Sequence, residues 1–280
     1  MEFPLPKTVR LVPDFSIENE IANGSQLLIA GVDEVGRGTL AGPVVAAAAI
    51  LPGPVPVEYS RIVNDSKVLS AAQRQQSFDW LIGWCIGYGV GACTADEIDS
   101  IGIIAATRLA MSRAITELDP QPEHLLIDAV ELYSVPVPQT SIVKADSRSQ
   151  SVAAASIIAK VTRDRLMATI FESEYPGYGF AEHKGYGTTM HMAALKELGV
   201  SPIHRRSFKP VRDVLGGYPV AGPVHRSPVG VRARKSGCFG LFKRKFEPSS
   251  GYWQGWRVYR AVACDQPTWL RDRGDQLPYP

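Results

Sequence analysis

The stretch Gly31-Val32-Asp33-Glu34-Val35-Gly36-Arg37-Gly38 constrains this chain more than any other. An apolar run, Leu27 to Val32, leads into two adjacent carboxylates, and a glycine-rich turn with one arginine follows at once. A second apolar run, Gly42 to Leu51, comes next. The pattern predicts strand, charged tip, strand, with residues 27–33 and 42–51 as the first two strands. It places acidic groups at a sheet edge, where a cation is the partner they would favour. Two plainer readings stay open: Asp33-Glu34 as ordinary turn residues, and the glycines as a tight hairpin.

The rest of the chain reads as alternating elements. A short helix is expected from Ser16 to Ala22, stopped by Asn23-Gly24. Ser70 suits the N-cap of a helix running to about Cys85, and Ile86 to Cys93 suits a third strand. Thr94 can cap a short helix over residues 95–99. Ile103 to Leu118 is amphipathic, with Ile104, Thr107, Leu109, Ala110 and Ile115 expected on its buried face. His124 to Asp128 and Ser141 to Ala145 are short strands, each ending at a carboxylate, and apolar runs between helices predict parallel pairing. The longest helical pattern runs from Ser149 to about Glu174, opening on small residues that let it lie close to a sheet. Residues 182–187 read as a loop, Thr188 to Leu198 as a helix, and Ser201 to Phe208 as irregular and basic.

Composition narrows the class. The chain has 280 residues, enough for a sizeable core, and no apolar run approaches the roughly 20 residues of a membrane helix. Its N-terminus lacks a secretory pattern, and its four cysteines form no C-x-x-C pair, so neither zinc nor a disulfide framework is expected. The expected location is the cytoplasm. Gly31, Gly36 and Gly38 do not fit G-x-G-x-x-G and no G-K-[ST] follows, which weakens a Rossmann or P-loop reading. Residues 216–280 hold 11 Lys and Arg against 4 Asp and Glu, which leaves 19 against 24 in residues 1–215. Periodicity fades after Leu215, so residues 1–215 are expected to form the catalytic domain and 216–280 a basic, poorly ordered tail.

Three strand ends offer Asp33-Glu34, Asp128 and Asp146. Sites in open α/β sheets form at the carboxyl ends of strands, so adjacent placement of the first and fourth strands would bring all four acids together. Two divalent cations would neutralise such a cluster, and oxygen-only ligands favour Mg²⁺ or Mn²⁺. Two such ions roughly 3.5–4 Å apart suit in-line attack on a phosphodiester. Asp128 also reads as an ordinary strand-end residue, and Asp146 as a helix N-cap. His183, His191 and His204 show no spacing that suggests a metal, and Arg163 and Asp164 read as ion-pairing residues of the long helix.

Residues 31–48 (GVDEVGRGTLAGPVVAAA) strongly resemble the first motif of type 2 ribonucleases H, the bacterial ribonuclease HII family. So do Asn64-Asp65-Ser66-Lys67, Leu126-Ile127-Asp128-Ala129, Lys144-Ala145-Asp146-Ser147, the run from Ala153 to Asp164, and His183-Lys184-Gly185-Tyr186-Gly187-Thr188. The resemblance covers about residues 15–212. It implies an α/β ribonuclease H-like fold: a mixed five-stranded sheet, three strands antiparallel, with flanking helices and a helical C-terminal portion. It implies a monomeric endonuclease acting on RNA–DNA hybrids and on ribonucleotides embedded in duplex DNA, away from membranes, in ribonucleotide excision repair. Asp33, Glu34, Asp128 and Asp146 match the family's catalytic acids, which bind Mn²⁺ or Mg²⁺. Gly36, Arg37 and Gly38 match the motif that contacts the ribose 2′-OH. Tyr186 matches the tyrosine that packs on the sugar at the RNA–DNA junction, and Asn64, Ser66 and Lys67 match a phosphate-contacting loop. Ala145 stands where the family more often has glycine. Two rival classes are a nucleic-acid-binding module working through its basic, aromatic tail and a phosphotransferase, although the chain offers no second glycine-rich phosphate loop.

Overall fold

The apolar runs on either side of Asp33-Glu34 become neighbouring antiparallel strands, β1 (Ile29–Val35) and β2 (Val44–Ile50). With β3 (Gly87–Cys93), β4 (His124–Asp128) and β5 (Gln139–Ile142) they make one five-stranded sheet in the order β3-β2-β1-β4-β5. The first three strands form an antiparallel meander, while β4 runs parallel to β1 and β5 parallel to β4. The structure is a computed structural model that describes residues 12–217, together with the dipeptides Phe239–Gly240 and Tyr259–Arg260. The chain divides into two units, Met1–Pro228 and Val229–Pro280. In the second unit the two dipeptides pair as antiparallel strands β6 and β7. The expected disorder of the tail otherwise falls outside the described residues, as does most of the irregular N-terminus.

Both faces of the sheet are covered. Alternate residues of β1, β2 and β4 (Ala30, Val32, Ala46, Ala48, Leu125 and Ile127) meet α4 (Ile103–Thr116). The other set, including Ala47 and Ala49, meets α2 (Ala71–Trp84) and α5 (Gln150–Leu166). Small residues set the spacing. A methyl on Gly89 or Gly91 of β3 would run into the Ala114 or Ala110 carbonyl of α4. On the opposite face, a methyl on Gly31 would fall inside the Ser151 and Val152 backbone of α5. Around this frame sit α1 (Ser16–Ala22), α3 (Ala95–Ile101), the single turns α6 (Glu172–Glu174) and α7 (Phe180–His183), α8 (Thr189–Leu198) and α9 (Lys209–Gly217). No helix among the described residues is long and apolar enough to cross a membrane.

The caps expected at Ser70 and Thr94 are present: Ser70 and Gln73 form a reciprocal capping box on α2, and Thr94 and Glu97 do the same on α3. Thr188, expected as the first residue of a helix, instead caps α8. Asn23 ends α1 in the left-handed conformation. Five expectations need correction. The first strand continues through Asp33 and Glu34 to Val35 and is the central strand, so the two acids are on a paired strand rather than at a free edge. The last strand of the sheet starts two residues early, and Asp146 lies on a separate 3₁₀ turn, Ala145–Ser147. Ile104 is 58% exposed: it lies in the first turn of α4, and the residues that this helix buries are Ala106, Thr107, Ala110, Met111, Ala114 and Ile115. The long helix is interrupted by a π turn at Met167–Phe171. Two helical segments went unforeseen: α7 inside the expected loop and α9 across the expected domain boundary at 215.

Gly31→Ala is expected to destabilise the chain by about 1–3 kcal/mol or more, the cost of forcing backbone apart in a close-packed interior. Urea unfolding followed by circular dichroism measures it, and a neutral result would mean that α5 can move off β1.

Candidate active site

Strand alternation decides which acids share a face. Gly31 and Leu126 face the α5 side of the sheet. Asp33 and Asp128, each two residues further on, follow them, one position beyond the last paired residues Val32 and Ile127. Asp146 joins from the 3₁₀ turn that leads into α5, where the Ala145 N–H donates to Asp128 Oδ1 at 2.9 Å. Ser149, not Asp146, caps α5 by accepting from the Val152 N–H, so the capping reading of Asp146 is corrected. Glu34 is adjacent to Asp33 and leaves the strand on the other side. Arg37 Nη1 donates to its Oε1 at 3.2 Å, while its Oε2 is buried without a hydrogen-bond partner.

The cluster is electrostatically costly. Burial, with the charges of Glu34 and Asp128 adding to it, pushes the Asp33 carboxyl well above the usual carboxylate range. Glu34 and Asp128 are also raised, in both cases mainly by burial. The compensation comes from cations and hydroxyls. Lys67 Nζ donates to Asp146 Oδ2 at 2.9 Å; burial would lower the lysine, but the hydrogen bond and charge of Asp146 hold its ammonium above its ordinary value. The Ser156 hydroxyl of α5 favours the charged form of Asp33, and Ser66 and Ser156 hydroxyls are 2.9 Å apart. Lys67 reaches the acids directly and Ser66 only through Ser156, while Asn64 turns back to accept from the Asp65 N–H.

Among the described residues no three Asp, Glu, His or Cys side chains converge as a ready-made metal-ligand set. The donor chemistry nonetheless fits a hard divalent cation: all ligands are carboxylate oxygens, one of them is an orphaned buried oxygen, and Lys67 already places positive charge on Asp146.

Beside the acids, two buried arginines hold the Gly36-Arg37-Gly38 turn and the residues after it: Arg163, read from the sequence as ion-pairing, and Arg205, assigned no role there. Arg205 donates to the carbonyls of Gly36 (2.6 Å), Arg37 (2.8 Å) and Gly42 (3.0 Å). Arg163 donates to the carbonyls of Pro43 (2.9 Å), Ala41 (3.1 Å) and Lys184 (2.9 Å) and to the Thr39 hydroxyl. Both are fully buried, so the expected ion-pairing role of Arg163 is corrected; its partners are carbonyls. Asp164 does form an ion pair, with Lys160 at 2.9 Å. Gly36 is required twice over: its φ is +90°, and a side chain there would strike Arg163. Arg37 and Gly38 are left on the surface. Tyr186 is 40% exposed, and Lys160 Nζ lies 5.6 Å from its ring centroid. The only sequence signal for the arginines was their place in basic or helical motifs, which does not distinguish a buried guanidinium from a solvated one.

Because the folded-state pKa of Asp33 is raised, the folded chain binds that proton more tightly than the unfolded chain does. The group therefore costs stability above its raised pKa, and the cost disappears as pH falls toward the ordinary 3.8. Asp33→Asn keeps an oxygen for the Glu34 N–H and removes the charge. Its thermal midpoint at neutral pH is expected to rise by about 2–4 °C per kcal/mol released, with the gain vanishing on acidification in a calorimetric pH series. A lower midpoint at neutral pH would show that the ionised form is stabilised.

Comparison with known proteins agrees with this geometry. The family profile described as Ribonuclease HII matches residues 30–211. Ribonuclease HII of Dehalococcoides mccartyi is 46% identical over 213 residues, which is 76% of this chain and 100% of that protein. Ribonuclease HII of Leuconostoc mesenteroides is 52% identical over 201 residues, 72% of this chain and 78% of that protein. The crystal structure of the ribonuclease H2 from Pyrococcus horikoshii OT3 superimposes with a TM-score of 0.55 at 29% identity, covering 68% of this chain and 97% of that one. The mixed sheet, the acids on its central strands and these matches lead to one conclusion: the chain belongs to the ribonuclease HII family.

Proposed function

We propose that this chain is an endonuclease that hydrolyses the RNA strand of RNA–DNA hybrids and cuts at ribonucleotides embedded in duplex DNA, leaving 3′-OH and 5′-phosphate ends. Family membership supports the hydrolase class. The observation that carries the finer reading is the placement of Asp33 and Asp128 at adjacent strand positions, with Asp146 on the turn whose Ala145 N–H donates to Asp128, next to the buried, unpartnered Glu34 Oε2.

These four acids would hold divalent cations, Mg²⁺ or Mn²⁺, which when bound activate water and stabilise charge on the leaving oxygen. The remaining work falls to the chain itself. Lys67, with 74% of its side chain exposed, is close enough to Asp146 to shield it and free enough to contact a phosphate. Gly36 is buried under this turn, but Arg37 and Gly38 are exposed and Gly38 carries no side chain, so the backbone at the tip can approach a ribose 2′-OH. A site built around that hydroxyl rejects deoxyribose, because its polar groups would be left unpaired. The exposed face of Tyr186 offers a platform for the neighbouring sugar. Asn64 and Ser66 order the loop that carries Lys67.

The test is a duplex containing one ribonucleotide, incubated with and without Mg²⁺. Cleavage is expected only with the metal, and an all-DNA duplex should remain intact. Asp33→Asn is expected to lose roughly a thousandfold or more in rate, the scale of several kcal/mol of charge stabilisation. Binding without cutting under Mg²⁺ and under Mn²⁺ would instead make the chain a nucleic-acid-binding module.

The second unit stands apart from this chemistry, since every residue named here precedes Pro228. A chain ending at Pro228 is expected to retain cleavage within about threefold, measured on the same duplex. Loss of activity in a truncated chain with an unchanged circular dichroism spectrum would place part of the site in the tail.

A further inference from the structure

Three histidines lie buried together beneath the Tyr186 loop: His183, His191 and His204. The rings of His183 and His191 stack with centroids 4.2 Å apart, and Phe180 closes the group edge-on. The group belongs to none of the chemistry assigned above. Its hydrogen bonds, however, admit one proton arrangement.

The argument starts at donors that cannot be reversed. The Ser201 N–H donates to His204 Nδ1 at 3.0 Å, so that nitrogen carries no proton, the Ser201 hydroxyl 2.7 Å away donates to it as well, and the ring hydrogen sits on Nε2. His204 Nε2 is 3.0 Å from His191 Nε2, and one of the two must accept. His204 therefore donates, His191 Nε2 is bare, and the His191 proton is on Nδ1. That Nδ1–H points at the Tyr186 carbonyl, 2.9 Å away. His183 is fixed in the same way: the Gly185 N–H donates to its Nδ1 (3.1 Å), so its Nε2–H donates to the Tyr178 carbonyl (2.8 Å). The chain of bonds thus runs in one direction, from the Ser201 backbone through two imidazoles to the backbone of Tyr186. A proton added to either His191 or His204 would set two N–H groups against each other. Burial disfavours that addition, lowering His191 to about 4 and His204 to about 3.

We infer that His191 and His204 are positioning residues for Tyr186: they act as a neutral, one-way hydrogen-bonded strut that sets the height of the tyrosine over the substrate sugar. The Tyr186 carbonyl also accepts from the Thr188 N–H at 2.8 Å, and the Tyr186 N–H donates to the His183 carbonyl at 2.9 Å. The residue is therefore pinned by its backbone while its ring stays exposed. The inference rests on the proposed role of Tyr186 in holding substrate.

The two ring nitrogens of His191 do different jobs, which allows a site-specific test. Asn places an amide near the Nδ1 position, whereas Gln places one near Nε2. On the one-ribonucleotide duplex with Mg²⁺, His191→Gln is expected to lower kcat/KM about tenfold, as misplacement of a positioning group does. His191→Asn is expected to recover most of that loss. In a Tyr186→Ala background, His191→Gln is expected to add less than about twofold, because the two residues act as one unit. Equal losses for Asn and Gln, or a full further loss on top of Tyr186→Ala, would overturn the inference. The unsubstituted chain supplies a second measurement, ¹⁵N chemical shifts of its imidazole rings. His191 protonated on Nδ1 and His204 on Nε2 are expected, and the opposite tautomer of His191 would overturn the inference even if a variant fails to fold. If the unsubstituted chain cuts nothing, the functional proposal fails, while the tautomer measurement still decides the strut.

Discussion

The close approach of α5 to β1 is the constraint on which the rest of the site depends. It exists because Gly31 has no side chain and because α5 opens on Val152-Ala153-Ala154-Ala155. A helix lying that near brings Ser156 to Asp33 and carries Arg163 far enough along to enter the loop after β1. Move the helix outward and the acid loses its hydroxyl partner while the loop loses its buried clamp.

That clamp has an unusual electrostatic character. Arg163 and Arg205 are fully buried, and the contacts described for both are with carbonyls and a hydroxyl rather than carboxylates. Burial lowers the pKa of each, but guanidinium remains charged under all ordinary conditions. Charged donors make stronger hydrogen bonds than neutral ones, so several carbonyls can be drawn to one side of a short loop. The same two arginines join the turn after β1, the Lys184 loop and the Ile203–Phe208 segment. Three sequence-distant segments are thus held in one arrangement beside the carboxylates.

Some of this was legible in the sequence. The apolar runs, the capping residues Ser70 and Thr94, and the strand ending at Asp128 are local signals, and local physics decides them. The motifs around Asp33, Asp128 and Asp146 pointed to strand ends, and the pairing of β1 with β4 came from the structure. Errors arose where a neighbour distant in sequence makes the decision. Ile104 reads as buried by periodicity, but it sits in the first turn of α4, ahead of the residues that the helix buries. Asp146 looked like a strand end or a cap, yet Lys144 enters the left-handed region and turns the chain before α5 begins. Arg205 stood unremarked in a basic stretch, because nothing near it in sequence shows the carbonyls it meets.

The amino-acid sequence by itself determined the elements, the identity of the four acids and the family, because hydrophobic period, capping chemistry and motif spacing are properties of neighbouring residues. Only the tertiary structure decided which faces those residues share. It put Asp33 and Asp128 on the α5 side and Glu34 on the other, joined Ser66 to Ser156 across 90 positions, and aligned His204, His191 and Tyr186 in one direction of hydrogen bonding. The physical reason is the same in each case. A carboxylate, a guanidinium or an imidazole takes its role from the partner that replaces its water, and folding chooses that partner from anywhere along the chain.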